Sequence, residues 1–237
     1  MSDIVIVGGC IEGLILSILC AEKHNVTLID IHPEIGFPCS TPGWLENKES
    51  LQKYLDNDQL NQLNIFQNKE GFSISAQWLF KLLTIKAVQL NVNVLLRCRV
   101  TNVKSSDIET IIQYIGGINS GSGEIICNQL INLTDYCAPS PGKLQHTIAK
   151  STPTKPNQYW GGLALTIDCQ NDELQPVLQL IRKDGVSELW FQTKPTWAPN
   201  SGWLETMLNT TPKPLTELSI DNSISSGEHL FESINQQ

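Results

Sequence analysis

Residues 4–30 constrain the fold more than any other stretch. Ile4-Val5-Ile6-Val7 is a short β-branched run that ends at Gly8-Gly9. A continuous apolar strand of this kind suits a parallel sheet covered on both faces. Leu14 to Lys23 reads as a helix rich in Leu and Ile, and Val26-Thr27-Leu28-Ile29 reads as a second buried strand ending at Asp30. Strand, helix and strand in so short a span make one βαβ unit. The turn inside it, Gly8-Gly9-Cys10-Ile11-Glu12-Gly13, opens the helix. A helix N-terminus carries free backbone N–H groups and a partial positive charge, which suits an anion. In a dinucleotide site of this spacing the first glycine makes the turn. The second lets backbone approach a pyrophosphate, and the third lets helix pack on strand. Asp30 stands where an acid accepts a hydrogen bond from a ribose 2′-OH. Gly8, Gly9, Cys10, Glu12, Gly13 and Asp30 are therefore the first candidates for cofactor contact.

Two departures weaken this anion site. Cys10 holds the second glycine's position, with a side chain where a pyrophosphate would approach. Glu12 puts a carboxylate in the first helical turn, where the dipole favours it and where it competes with a bound phosphate. The residues alone leave two readings open: a dinucleotide site, and a tight βα turn that binds none.

The rest of the chain continues the α/β pattern. Pro33 to Gly43 is a Pro- and Gly-rich loop, and Lys48 to Asn57 reads as a short helix. Ser75 is placed to cap a helix running to about Leu90, with Leu79, Leu82, Leu83 and Ala87 on one face. Val92 to Leu96 is the next strand. The runs Val100–Val103, Thr110–Tyr114, Glu124–Cys127 and Leu130–Leu133 read as a β-meander that returns to the main sheet, with Gly116–Gly123 as a hairpin loop. Ala138 to Pro156 is a Pro-, Ser- and Lys-rich linker candidate. Strands follow at Tyr159–Ile167, Val177–Arg182 and Ser187–Gln192, and Trp203 opens a short helix toward Leu208. The expected architecture is a Rossmann-like parallel sheet with a β-meander insert and a second small β-rich region. The expected domains are residues 1–137, a dinucleotide-binding-like domain, and 157–209, a partial substrate-domain-like β region. Residues 210–237 read as a polar tail, partly disordered.

Composition excludes several classes. The net charge of -8 offers nothing to neutralise a run of phosphates, so nucleic acid is not expected as a partner. The seven cysteines form no CxxC, and the four histidines stand at no metal-ligand spacing, so no zinc site is expected. Scattered thiols fit a reducing cytosol, and Asp3 stands where a secretory signal carries Lys or Arg. Ile4 to Ala21 is apolar, but Glu12 and the glycines divide it into strand, turn and helix, so no membrane span is expected. There is no G-x-S-x-G elbow and no P-loop. Trp160, Trp190, Trp197 and Trp203 read first as core aromatics of a small sheet, with an apolar pocket for a prenyl or aromatic substrate as the alternative. Cys39 reads as a buried thiol, with a redox or flavin-adjacent role as the alternative, and His32 reads as a loop residue without a role, with stacking near an adenine as the alternative.

Ile4–Asp30, followed by Pro33-Glu34-Ile35-Gly36-Phe37-Pro38, resembles the N-terminal part of FAD-dependent oxidoreductases of the glutathione-reductase-like fold. The branch it is most similar to is the geranylgeranyl reductase and aromatic hydroxylase group, which often reads E-I-G-x-P-x-x-C-x-G after the ribose-binding acid. Here Glu34-Ile35-Gly36-Phe37-Pro38 matches, Thr41 takes the cysteine's place, and Cys39 stands two positions early. The resemblance implies FAD as cofactor, with contacts that extend to Ile31 and Pro38. It also implies that backbone at Val100 touches adenine and that Thr134, in Ile131-Asn132-Leu133-Thr134-Asp135, lies beside the flavin where the family reads I-D-A-T-G. An Arg near the start of the Ser75 helix is absent, and Asp135 replaces the final glycine. The later G-D motif of the family has no counterpart after Trp203, and Gly227-Glu228-His229 does not replace it. The resemblance therefore implies a reductase- or monooxygenase-type protein with an incomplete flavin site. The alternative is a non-catalytic, flavoprotein-derived binding or assembly module, without cofactor or completed by a partner chain or a second copy.

Overall fold

The computed structural model describes residues 2–69, 71–106, 109–118, 121–134, 157–170, 174–211 and 214–235. In chain order the elements begin β1 (Ser2–Val7), α1 (Ile11–Cys20), β2 (Val26–Ile29), β3 (Trp44–Leu45) and α2 (Asn57–Gln62). They continue with β4 (Phe66–Asn68), β5 (Gly71–Ser73), α3 (Ala76–Gln89), β6 (Asn93–Leu95), β7 (Cys98–Ser105), β8 (Thr110–Gly116) and β9 (Gly121–Asn132). After these come β10 (Asn157–Leu165), β11 (Leu178–Ile181), β12 (Val186–Phe191), β13 (Glu205–Thr211) and α4 (Ile220–Asn235). The chain divides into two compact units, both discontinuous in sequence: Met1–Phe37, Leu83–Thr152 and Ile224–Gln237 in one, Pro38–Leu82 and Pro153–Ser223 in the other. The linker candidate at 138–156 and Asp135 lie outside the described residues.

The first unit holds a six-stranded sheet in the order β6-β2-β1-β9-β8-β7. β1 runs parallel to β2 and β9, and β2 runs parallel to β6. The meander strands β7, β8 and β9 pair antiparallel. β9 is one long strand where two short runs are expected from sequence: Gly121 to Cys127 pairs with β8, and Cys127 to Asn132 pairs with β1. This continuity carries the chain from meander back to parallel sheet without a turn. Val5 and Val7 pack with Val100, Val103, Ile112, Cys127 and Leu130 on one face, and Ile4 and Ile6 are buried on the other. Both faces of β1 are thus covered, as its uninterrupted apolar run requires. Every residue of α1 except Leu19 is buried.

Residues 210–237, expected as a tail, contain helix α4. Its physical basis is a sparse apolar stripe, with Ile220 and Ile224 buried, spaced for a helix in a segment otherwise polar. Gly227 sits against α1: a Cβ there would lie 2.9 Å from the Glu12 carbonyl oxygen and from Ile15 Cβ. Gly227→Leu is expected to overpack this contact by about 1–3 kcal/mol. That corresponds to a fall in Tm of roughly 3–10 °C, read by thermal denaturation.

The second unit holds a four-stranded antiparallel sheet, β11-β12-β10-β13, and a small sheet, β3-β5-β4. One face of the larger sheet carries Ala164, Leu189, Phe191 and Trp160, covered by Trp197 and Trp203. The other carries Tyr159, Trp190 and Met207. The segment opened by Trp203 forms strand β13, not a helix. Glu205, Met207 and Asn209 alternate with exposed Thr206, Leu208 and Thr210, a period of two that pairs with β10. Sequence reading also misses β3–β5 and α2, which are too short for periodicity to register; α2 forms because Asp56 and Gln59 close a capping box. Ser75 accepts the Trp78 N–H at 3.5 Å at the start of α3, and Leu79, Leu82, Leu83 and Ala87 are buried, as their spacing predicts.

Candidate functional site

The β1–α1 turn lies at the C-terminal end of the parallel strands, where ligands of open α/β sheets bind. Gly8 adopts φ 122°, a conformation open to glycine. Gly13 has no room for a side chain, since a Cβ would stand 2.3 Å from the Gly8 carbonyl oxygen and 3.3 Å from Leu133 Cδ1. The first and third glycines therefore do what the spacing predicts. Cys10, in place of the second, has φ -88° and ψ 175°, an ordinary extended conformation. Its Sγ turns back toward the Gly8 carbonyl oxygen at 3.9 Å and is buried. The thiol folds over its own turn, so its mass lies along the backbone. Glu12 is buried in the first helical turn.

Asp30 follows β2 and faces the turn. Its Oδ2 accepts the Gly9 N–H at 2.6 Å, and its Oδ1 accepts the His32 N–H at 2.7 Å. The His32 ring lies beside it, Nδ1 to Oδ1, at 3.0 Å. The turn, Asp30, Ile31 and His32 are thus assembled in one place by β1 and β2. Val100 is fully buried in the core, paired with Tyr114 next to a β-bulge. Thr134 is buried, and both its N–H and its hydroxyl donate to Asn132 Oδ1, at 3.0 and 2.5 Å. Pro38 is exposed and belongs to the other unit.

A second group of polar side chains, in the other unit, escaped sequence reading. Glu188 on β12 accepts the Trp190 indole N–H at 2.6 Å and the Gly43 N–H at 3.1 Å, and it is buried. Burial pushes its carboxyl up to about 7 against those two donors and the nearby Arg182. The only sequence signal was an acid inside the apolar run Val186–Phe191. Cys39 lies near this carboxylate, and burial, reinforced by Glu188, pushes its thiol up to about 12. Such a thiol stays protonated near neutral pH. Trp160, Trp197 and Trp203 pack edge-on against one another, with ring centroids 4.8 and 5.4 Å apart. Gly162 leaves room for the Trp203 ring, so these aromatics fill the space with each other. Among the described residues no group of His, Cys, Asp and Glu is placed to hold a metal ion, and no helix is long and apolar enough to cross a membrane.

No protein-family model matches the chain, and no curated protein matches its sequence. Solved structures do match. The p-nitrophenol 4-monooxygenase PnpA from Pseudomonas putida DLL-E4 has a TM-score of 0.70 at 9% identity, over 99% of this chain and 79% of that one. A geranylgeranyl bacteriochlorophyll reductase-like protein from Thermoplasma acidophilum has a TM-score of 0.66 at 13% identity, over 99% and 79%. A flavoprotein/dehydrogenase from Cytophaga hutchinsonii has a TM-score of 0.65 at 11% identity, over 100% and 79%. The chain has a Rossmann-like α/β fold. At these identities the likeness concerns architecture: a mostly parallel sheet with a meander, beside separate antiparallel sheets.

Proposed function

We propose that this chain binds FAD at the β1–α1 turn and acts as an FAD-associated oxidoreductase of the reductase or monooxygenase type. One observation carries the reading. The glycine turn, the N-terminus of α1 and the carboxylate of Asp30 meet at the C-terminal edge of a parallel sheet, in a fold shared with a monooxygenase and a reductase-like protein. The residues present fit a dinucleotide in this respect: the Cys10 thiol turns onto the Gly8 carbonyl, and so lies along its own turn at the start of α1. In this reading the Gly8–Gly13 turn holds the pyrophosphate. Asp30 and Ile31 border the adenosine ribose, the strand at Val100 borders the adenine, and Thr134 borders the flavin part. Bound flavin would supply the hydride and oxygen chemistry. The chain's own work is to bind and orient it. The proposal includes a small apolar or aromatic substrate, a cytoplasmic location, and a site completed by a second copy or a partner chain.

A second reading, a cofactor-free binding or assembly module, draws on a different observation. Asp30 and Thr134 already spend their polar atoms on neighbours within the chain. FAD titration separates the two. Binding should quench flavin fluorescence and, at a hundredfold excess over Kd, stabilise the fold by about 2.7 kcal/mol. That amounts to a rise in Tm of roughly 5–10 °C. Neither quenching nor a shift in Tm would leave the cofactor-free module.

A further inference from the structure

We infer that the acceptor for the ribose hydroxyl at this site is the imidazole of His32, with Asp30 as the group that orients it. The inference rests on the dinucleotide reading and names a residue to which the spacing of the glycine turn does not point.

Asp30 has little left to offer a ligand. A carboxylate oxygen presents two lone-pair directions. On Oδ1 both are used, by the N–H and the ring Nδ1 of His32. On Oδ2 one is used by the Gly9 N–H. Gly9 also lies close against Oδ2, since a Cβ built on it would stand 2.6 Å from that oxygen. Exposure agrees: 5% for the Asp30 side chain against 26% for that of His32.

The tautomer follows from the same bonds. A carboxylate only accepts, so the ring nitrogen that faces it, Nδ1, carries the proton in the neutral ring. Nε2 is then an acceptor. The backbone fixes the ring's base. The His32 carbonyl accepts the Arg97 N–H at 2.9 Å, and the Asp30 carbonyl accepts the Cys98 N–H at 3.0 Å. His32 is thereby tied to the β6–β7 turn on one side and to Asp30 on the other.

The test measures Kd for ADP and for 2′-deoxy-ADP on the full chain, by calorimetry, in wild type, His32→Ala, His32→Gln and Asp30→Asn. Wild type should prefer ADP by about tenfold, the effect of one hydrogen bond. His32→Ala should bind the two nucleotides equally. His32→Gln, whose amide oxygen accepts, should recover part of the preference. A purely structural role would weaken both nucleotides alike and leave their ratio at the wild-type value, which would overturn the inference. So would equal binding of the two by wild type. A preference that survives His32→Ala and vanishes in Asp30→Asn puts the acceptor on Asp30 and overturns the inference while the dinucleotide reading stands. A wild type that binds neither ADP nor FAD removes both.

Discussion

Gly13→Val is expected to leave little folded protein at room temperature. The third glycine of the turn is the point where α1 rests on β1, and a Cβ there would stand 2.3 Å from the Gly8 carbonyl oxygen. That atom is backbone in a turn with φ 122° at Gly8, so it cannot rotate aside as a side chain would. Helix and strand must part, and the buried contacts of Leu14, Ile15 and Leu16 are loosened with them. The cost is expected to exceed about 4 kcal/mol, in the range reserved for core disruption. Gly185 gives a control of opposite kind. It also has a positive φ, 78°, but nothing lies within 4 Å of its Cβ position. Gly185→Ala should therefore cost only the backbone strain of that conformation, about 1–2 kcal/mol. Far-UV circular dichroism in the absence of denaturant reads the loss of folded Gly13→Val, and urea denaturation reads the smaller cost of Gly185→Ala. Equal losses would show that the turn tolerates a side chain and that α1 is not seated as described. The variant also bears on function, since FAD affinity should fall with the fold if the turn is a binding site. Milder Gly13→Ala allows that measurement under conditions where the chain is still folded.

The parts of this molecule that sequence made plain are those governed by periodicity and backbone necessity. β1, α1 and β2 were legible because apolar runs, glycines and an acid each answer to one constraint at a fixed spacing. The apolar face of α3 was legible for the same reason. What escaped depends on pairing with residues far along the chain. β13 is read as helix when taken alone, because Trp203 to Leu208 has no strong alternation until β10 pairs with it. α4 hides in a Ser- and Asn-rich segment because its contact with α1 runs through a glycine, which carries no hydrophobic signal. At the candidate site the same division holds. The glycines and Asp30 could be named from spacing. The saturation of Asp30 by His32, and the inward turn of Cys10, are matters of side-chain direction that spacing does not record. Glu188 is the extreme case, an acid in an apolar strand whose partners are an indole two residues away and a backbone N–H at Gly43.

Glu188→Gln is expected to remove a pH dependence of stability that wild type shows between about pH 4.5 and 7. Burial raises the carboxyl from 4.5 to about 7, opposed by the Trp190 and Gly43 N–H donors and by Arg182, and assisted by Glu205. A raised folded-state value means that the folded chain holds its proton where the unfolded chain has lost it. Below pH 4.5 both states are protonated and the group adds no slope. Through the window from 4.5 to 7 the unfolded state gains by ionising, so stability falls as pH rises, and it levels off above 7. The total is on the order of 3 kcal/mol, at about 1.4 kcal/mol per pH unit. Other carboxylates impose slopes of their own, so the quantity to read is the difference between wild type and Glu188→Gln. Glutamine keeps an acceptor for one donor and has no charge to bury, so its curve should rise relative to wild type across this window. Glu188→Ala separates the charge from the hydrogen bonds. It leaves the Trp190 Nε1–H and the Gly43 N–H without an acceptor in a buried place, at a cost of about 1–3 kcal/mol for each group stranded, with no dependence on pH. Curves for wild type and Glu188→Gln that stay parallel from pH 4.5 to 7 would show that the carboxylate is ionised throughout. Glu188 would then be a charged clamp on the Gly43 backbone, with no proton to exchange near neutrality.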